Sequence, residues 1–313
     1  MKLVTFTVNN SNTICLGVVL DDKVLDLTLA SSNKISSEML TFLEGGDDLL
    51  RLAKETIQNP KTQKLYSLSE IKPRAPITNP PSLKDFFAFE EHAKAGAKRR
   101  NEVLPNEWYE IPAYYKGNHR EIYGPEDEIP WPSYTRKLDF ECEIACVIGK
   151  KGKNLSPEKA IDHIFGYMIF NDFSARDIQK KEMILRMGPA KGKDFANSFG
   201  PYLVTKDEVD PAIDFSMKIC VNGKLWSEGH FKDQYWGFPL MVSHVSQEET
   251  IYPGDILGSG TFYKGCGLDL DRWIQVEDTI ELEVPKLGTL RNKIGRPARQ
   301  HELNYKKEVA KKW

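Results

Sequence analysis

A β-rich α+β fold is what this sequence predicts, and three observations predict it. Short apolar runs of strand length recur along the whole chain, an Asn-Gly pair sits between two of them, and only a few helical stretches intervene. That pattern does not match the regular alternation of a doubly wound parallel sheet. The opening reads as a small meander: VTFTV, the polar turn NNSN, ICLGVVL, the turn DDK and VLDL. Ser36 or Ser37 is expected to cap a helix running to Leu43, which Gly45-Gly46 would break, and DDLLRLAKETIQ has acids at its start and a helical apolar period. The segment from Ile71 to Ser82 holds four prolines in twelve residues, which argues against regular structure and marks a boundary. The expected division is therefore a small N-terminal β/α domain at 1–75 and a larger domain at 76–313.

Beyond the boundary, LKDFFAFEEHAKAGAKRR is rich in helix formers, and Asp85 and His92 lie seven apart, on one face of any continuous helix. The stretch that follows is aromatic and interrupted by proline, so the region 90–117 is expected to act as a mobile lid or binding loop. Ser156-Pro157 places a capping residue before a proline at the first helical position and leads into EKAIDHI. FGYMIF is a short apolar strand ending at Asn171-Asp172, and SARDIQKKEM returns to helix. In the last third, FSMKICV-NG-KLW has a hairpin signature, FPLMVSHVS fits one helix, IYPGDIL contains a turn, and TIELEVPKLGTLRNKI alternates like paired strands.

Composition narrows the function classes. Lys and Arg total 43 against 45 for Asp and Glu, so nothing favours nucleic acid or an anionic membrane as a partner. The N-terminal apolar run is too short for a signal-peptide core or a membrane span, which makes the cytoplasm the default compartment. Five scattered cysteines with no C-x-x-C suit reduced packing residues better than a disulfide frame or a zinc site.

The chemistry is concentrated in LDFECEIACVIG, Leu138 to Gly149. Asp139, Glu141 and Glu143 alternate with apolar residues, and beyond Ile144 the run is apolar on both sides, as in a strand entering the interior. Such a row also describes a solvated strand face whose acids pair with Lys137, Lys150, Lys151 or Lys153. If instead Glu141 and Glu143 are partly buried, their repulsion requires a cation, and carboxylate-only ligation suits Mg2+, Mn2+ or Ca2+. Asp172, at the end of an apolar strand, is either a helix cap or a third acid for the same ion.

The run from Leu138 to Gln179, with E-x-E and N-D-x-S-A-R-D, followed by GKDF and PGDILGSGT, resembles the fumarylacetoacetate hydrolase family over about residues 80 to 296. The resemblance implies a distorted β-roll catalytic domain, a homodimer, and one Mg2+, Mn2+ or Ca2+ per subunit held by Glu141, Glu143 and Asp172. KDFFAFEEH is similar to the segment that supplies a further ligand and the catalytic histidine, which gives Asp85 and His92. By the same likeness Asp269, in GLDLDRW, orients His92, and Lys193, in GKDF, stands beside the metal. Arg176, Gln179, Tyr115 and Thr261 match substrate-binding positions, with Gly260 beside Thr261 and with Arg99 and Arg100 near a further family arginine. Two departures concern the substrate: Phe87 and Met183 stand where fumarylacetoacetases carry tyrosines.

The implied activity is metal-dependent hydrolysis of a carbon–carbon bond in a β-diketo acid, fumarylacetoacetate-like or acylpyruvate-like, by water that His92 activates. The same scaffold resembles lyases and isomerases of 2-oxo acids, including oxaloacetate decarboxylases and 2-oxo-alkenoate hydratases. A non-catalytic metal-dependent binding protein is the remaining alternative.

Overall fold

The N-terminal meander is built as its turns require. In the computed structural model, which describes residues 1–62, 64–209 and 215–297, β1 (Lys2–Val8), β2 (Ile14–Leu20) and β3 (Lys23–Asp26) pair antiparallel in sequence order. The helices α1 (Leu27–Ala30), α2 (Met39–Glu44) and α3 (Gly46–Gln58) follow. Neither Ser36 nor Ser37 caps α2; Glu38 holds that position without a side-chain bond, and Ser36 Oγ accepts from the Glu38 N–H. Then come β4 (Leu65–Ser67) and β5 (Ile71–Pro73), the latter a three-residue strand inside the proline-rich segment. Pro73 is tolerated there because it is the last residue of that short strand, opposite Phe6.

The remainder runs β6 (Leu83–Phe86), α4 (Glu90–Arg99), β7 (Tyr114–Lys116), β8 (Ile122–Tyr123), β9 (Glu128–Ile129), β10 (Leu138–Asp139) and β11 (Cys142–Ile148). Next are α5 (Pro157–His163), β12 (Ile164–Asp172), β13 (Ser174–Ala175), α6 (Arg176–Ile184) and β14 (Asn197–Thr205). Last come β15 (Ser216–Val221), β16 (Lys224–His230), α7 (Phe238–Ser246), β17 (Ile256–Gly258), α8 (Gly267–Leu270), β18 (Thr279–Val284) and β19 (Gly288–Ile294). Asn222 and Gly223, at φ 52 and 71, make the predicted two-residue turn between β15 and β16.

One large sheet has the order β4-β3-β2-β1-β14-β12-β11-β17-β6-β7, with β5 and β8 branching from it. A second sheet has the order β16-β15-β18-β19-β9, and β10 pairs with β13. Neither main sheet closes into a barrel among the described residues. Because β1 pairs with β14, the N-terminal meander extends the same sheet that carries the central strands. β11 has neighbours on both edges and is buried at every residue, which is why its alternation of apolar and polar residues ends. Cys142, Ile144, Cys146 and Ile148 face one core, and Ala145 and Val147 face the other.

One predicted element is different. Asp85 and His92 do not share a helix: Asp85 lies in β6, and α4 begins only at Glu90. Pairing of β6 with β17 on one side and β7 on the other outweighs the helix propensity of the segment. The region 90–117 contains α4 and β7, and within it Trp108 is buried and its indole N–H donates to the Phe87 carbonyl at 2.9 Å. No helix among the described residues is long and apolar enough to cross a membrane.

The sheet is held at its centre by Phe170 and Phe199, stacked at 4.4 Å and fully buried. Phe199→Ala is expected to cost about 3–5 kcal/mol of stability, read as a lowered denaturant midpoint at unchanged slope.

Candidate metal centre and catalytic pair

Strand pairing gathers the acids. The parallel register of β17 and β6 sets Gly258 against Asp85, and the antiparallel register of β11 and β12 sets Glu143 against Phe170, two residues before Asp172. The result is that carboxylate oxygens of Asp85, Glu143 and Asp172 lie within 4.8 Å of one another in the interior. Gly260 completes the cradle: its N–H donates to Glu143 Oε2 at 2.8 Å and to Asp85 Oδ1 at 3.2 Å. It does so at φ 75, where an added Cβ would also meet the Phe86 carbonyl at 2.3 Å, so glycine is required.

The charges around this cradle are unequal. Asp85, Asp139, Glu141, Glu143 and Asp172 are all buried, and among the described residues only Arg176 and Lys193 are buried cations bonded to members of the group. Arg176 donates from Nε to Asp139 at 2.7 Å, from Nη2 to Glu141 at 2.8 Å and from Nη1 to Gln179 at 3.0 Å. Lys193 bridges Glu141 and Asp172. Burial by itself would raise the Glu141 carboxyl, but these two cations hold it well below the usual carboxylate range. Asp85 is pushed up to about 6, chiefly by burial. Glu143 and Asp172 are raised well above the ordinary range by burial and by the neighbouring acids.

Glu143 Oε1 and Asp172 Oδ1 are buried and accept no hydrogen bond. Orphaned acceptors among surplus carboxylates are what a divalent ion would satisfy, and an all-oxygen donor set fits a hard one. Asp85, Glu143 and Asp172 are the residues placed to hold it. Glu141, expected in the same role, spends both oxygens on Arg176 and Lys193 and adjoins the cluster through the lysine.

His92 is on α4, and its Nδ1 lies 2.7 Å from Asp269 Oδ2 although 177 residues separate them. Asp269 also accepts from the Lys264 N–H at 3.2 Å and from Arg99 Nη1 at 3.1 Å. Burial would lift the Asp269 carboxyl, but the bond to His92, the backbone donor and Arg99 keep it below its ordinary value. An ionised carboxylate only accepts, so the nitrogen that faces it, Nδ1, carries a proton, and in the neutral ring Nε2 is the acceptor. Phe87 packs edge-on against the imidazole at 5.4 Å.

The other expected site residues have internal partners. Tyr115 donates its hydroxyl to Asp172 Oδ2 at 2.8 Å, and burial together with the neighbouring acids raises its phenol well above normal, so it stays a donor. Thr261 Oγ1 donates to the Cys142 carbonyl at 2.9 Å. Gln179 accepts from Arg176, whose guanidinium is committed to Asp139, Glu141 and Gln179 and so serves as a clamp on the acids. Met183, at the end of α6, is exposed.

Three further residues complete the surroundings of the two groups. Asp139 accepts from the Gly267 and Leu268 N–H groups at 2.7 and 2.9 Å and thereby fixes α8, which carries Asp269. Glu182 binds the Ala190 and Gly192 N–H groups and holds the loop that ends in Lys193. Cys266 lies within reach of the His92–Asp269 pair. Asp139 was visible in the acidic row; nothing in the sequence distinguished Glu182 or Cys266.

A sheet-borne acidic cradle with a buried His–Asp pair defines a class, and comparison with known proteins agrees. The family model described as "Fumarylacetoacetate (FAA) hydrolase C-terminal" matches residues 83–295. The chain belongs to this enzyme family. It is 30% identical over 302 residues to oxaloacetate tautomerase YisK of Bacillus subtilis, covering 91% of this chain and 97% of that one. The solved structure of a fumarylacetoacetate hydrolase from Exiguobacterium antarcticum superposes with a TM-score of 0.76 at 26% identity, over 95% of this chain and 99% of that one. A maleylpyruvate hydrolase from Sphingobium sp. SYK-6, solved with manganese(II) and pyruvate, gives a TM-score of 0.74 at 21% identity, over 95% and 100% of the two chains, and shares the fold.

An added Cβ at Gly258 would lie 2.3 Å from Asp85 Oδ1 and 2.9 Å from Phe170, in the wall of the cradle. Gly258→Ala should therefore weaken binding of Mn2+ on the order of tenfold or more, measured by calorimetry or by the electron-spin signal of free Mn2+. Asp172→Asn should weaken it further, with the far-ultraviolet circular dichroism unchanged.

Proposed function

We propose that this protein is a divalent-metal-assisted enzyme of 2-oxo acids that moves a proton at the carbon between two carbonyl groups, as in keto–enol tautomerisation of oxaloacetate. The observation that carries the reading is the buried His92–Asp269 pair, with Nε2 left as a base, beside an acidic cradle suited to a hard cation. A divalent ion held by Asp85, Glu143 and Asp172 would act as a Lewis acid toward the substrate's ketone oxygen and lower the cost of charge developing there.

The chain's own residues supply the rest. His92 Nε2 takes the proton from the acidic carbon and returns it to the oxygen or carbon of the product. Asp269 holds the imidazole in the required tautomer and stabilises its charged form. Burial pulls the Lys193 ammonium down, but the Asp172 and Glu141 charges outweigh it, so it stays protonated and favours negative charge on a substrate oxygen. Tyr115 keeps Asp172 oriented. Phe87 gives the imidazole an apolar neighbour without a hydroxyl that could position water, which favours proton transfer over hydrolysis. The 30% identity with an oxaloacetate tautomerase, in an alignment that covers 91% of the chain, supports the same choice.

Hydrolysis of a carbon–carbon bond in an acylpyruvate-like or fumarylacetoacetate-like acid is the second reading. The same His–Asp pair can activate a water molecule, and the Exiguobacterium hydrolase shares the fold at 26% identity. The pyruvate and manganese(II) in the Sphingobium structure support a 2-oxo acid and a divalent ion under either reading. A homodimer is part of the proposal on the family's pattern.

The test is an assay of the purified protein, stripped with chelator and reloaded with Mg2+ or Mn2+, on enol-oxaloacetate, acylpyruvates and fumarylacetoacetate. Fast, metal-dependent loss of the enol absorbance without carbon dioxide release or cleavage is expected. Release of pyruvate from acylpyruvates with no effect on the enol would install the second reading, and indifference to metal removal would reject both. His92→Ala and Asp269→Asn are each expected to lower kcat by about 10²–10⁴-fold, with Mn2+ affinity unchanged.

A further inference from the structure

We propose that His92, Cys266 and Asp269 form a second metal site, for a borderline ion such as Zn2+, and that its occupation silences the catalytic pair. One ring nitrogen of His92, the Cys266 sulfur and one Asp269 oxygen all lie within 4.8 Å of one another, and all three residues are buried. Nitrogen, thiolate and carboxylate together are a zinc donor set, whereas the neighbouring Asp85, Glu143 and Asp172 offer only hard oxygens. The two clusters adjoin, because Glu141 and Cys266 are bridged through their backbones.

The site is built by the fold. Cys266 is the residue before α8 and Asp269 is the third residue within it, so both lie on its first turn, and α4 brings His92 from the opposite side. Asp139 pins the start of that turn through the Gly267 and Leu268 N–H groups. Lys264 N–H and Arg99 hold the Asp269 carboxylate in place. Cys266 is fully buried, and its sulfur has no hydrogen-bond partner among the described residues, while the Asp269 carboxylate is enclosed and the His92 side chain keeps 11% exposure, the side from which an ion can enter.

Binding is a ligand exchange without redox change. The thiol proton leaves to solvent as sulfur bonds zinc, the proton between Nδ1 and Asp269 passes to Nε2 so that Nδ1 gives its lone pair to the ion, and the carboxylate, released from that bond, supplies the second negative charge. Thiolate and carboxylate neutralise the ion, and water can take the fourth position. Arg99 opposes the cation, so the expected affinity is that of an inhibitory ion and not of a permanent structural one. That this binding inhibits rests on the role proposed for His92; that the site binds zinc does not.

The experiment uses the full chain, stripped and reloaded with Mg2+, titrated with Co2+ and then with Zn2+. In the wild type Co2+ should produce a thiolate-to-metal absorption in the near ultraviolet, Zn2+ should abolish it, and one proton should be released per Zn2+ bound. Cys266→Ser and Cys266→Ala should lack that absorption while keeping their Mg2+-dependent activity and thermal midpoint. Zn2+ inhibition of these variants should need at least about tenfold more ion. Absence of the band in the folded wild type, or equal zinc inhibition of wild type and both variants, would overturn the proposal and assign zinc's effect to the oxygen cluster. The absorption needs no turnover, so it is read whatever substrate the enzyme proves to use.

Discussion

The structure depends on burying more carboxyl groups than it has cations to pair with them. Five carboxylates and two cations share the interior around the ends of β6, β11 and β12. A buried charge without a partner costs several kcal/mol, and breaking a buried pair costs about 3–5 kcal/mol, so each cation here is held by more than one acid. Arg176 ties Asp139 to Glu141, and Lys193 ties Glu141 to Asp172. The acids left over, Asp85 and Glu143 with the free oxygen of Asp172, are those whose oxygens converge. The surplus is local and ordered, which distinguishes it from a merely acidic surface.

Holding such a group requires a scaffold that does not yield. β11 supplies it by pairing along both edges and packing alternate side chains into two separate cores. Close approach of backbone to carboxylate supplies the rest, since Gly258 and Gly260 leave room that any Cβ would fill. Lys193 comes from a loop, but that loop is bound to α6 by Glu182, so the lysine is delivered with nearly the rigidity of the sheet.

The His92–Asp269 pair is assembled in the same economy. Asp139 belongs to the acidic row, yet it orients Arg176 with one oxygen and both oxygens serve the start of α8, which carries Asp269. The surroundings of His92 and those of the cradle are thus linked through one carboxylate that bonds Arg176 on one side and the start of α8 on the other.

Much of this was legible from local chemistry. Strand runs, the Asn-Gly turn, the capped helix at Ser156 and the apolar stretch after Ile144 follow from periodicity and turn preference, which act over a few residues. The identities of the acids, of His92, Asp269 and Lys193 were also visible through the motifs that contain them. Tertiary structure decided how they are shared out: that Asp85 sits in a strand and not on the helix of His92, that Glu141 faces cations while Glu143 faces acids, and that Arg176 clamps the acids. Those outcomes depend on pairing registers between segments as far apart as β6 and β17, and on desolvation, which no local run of residues encodes.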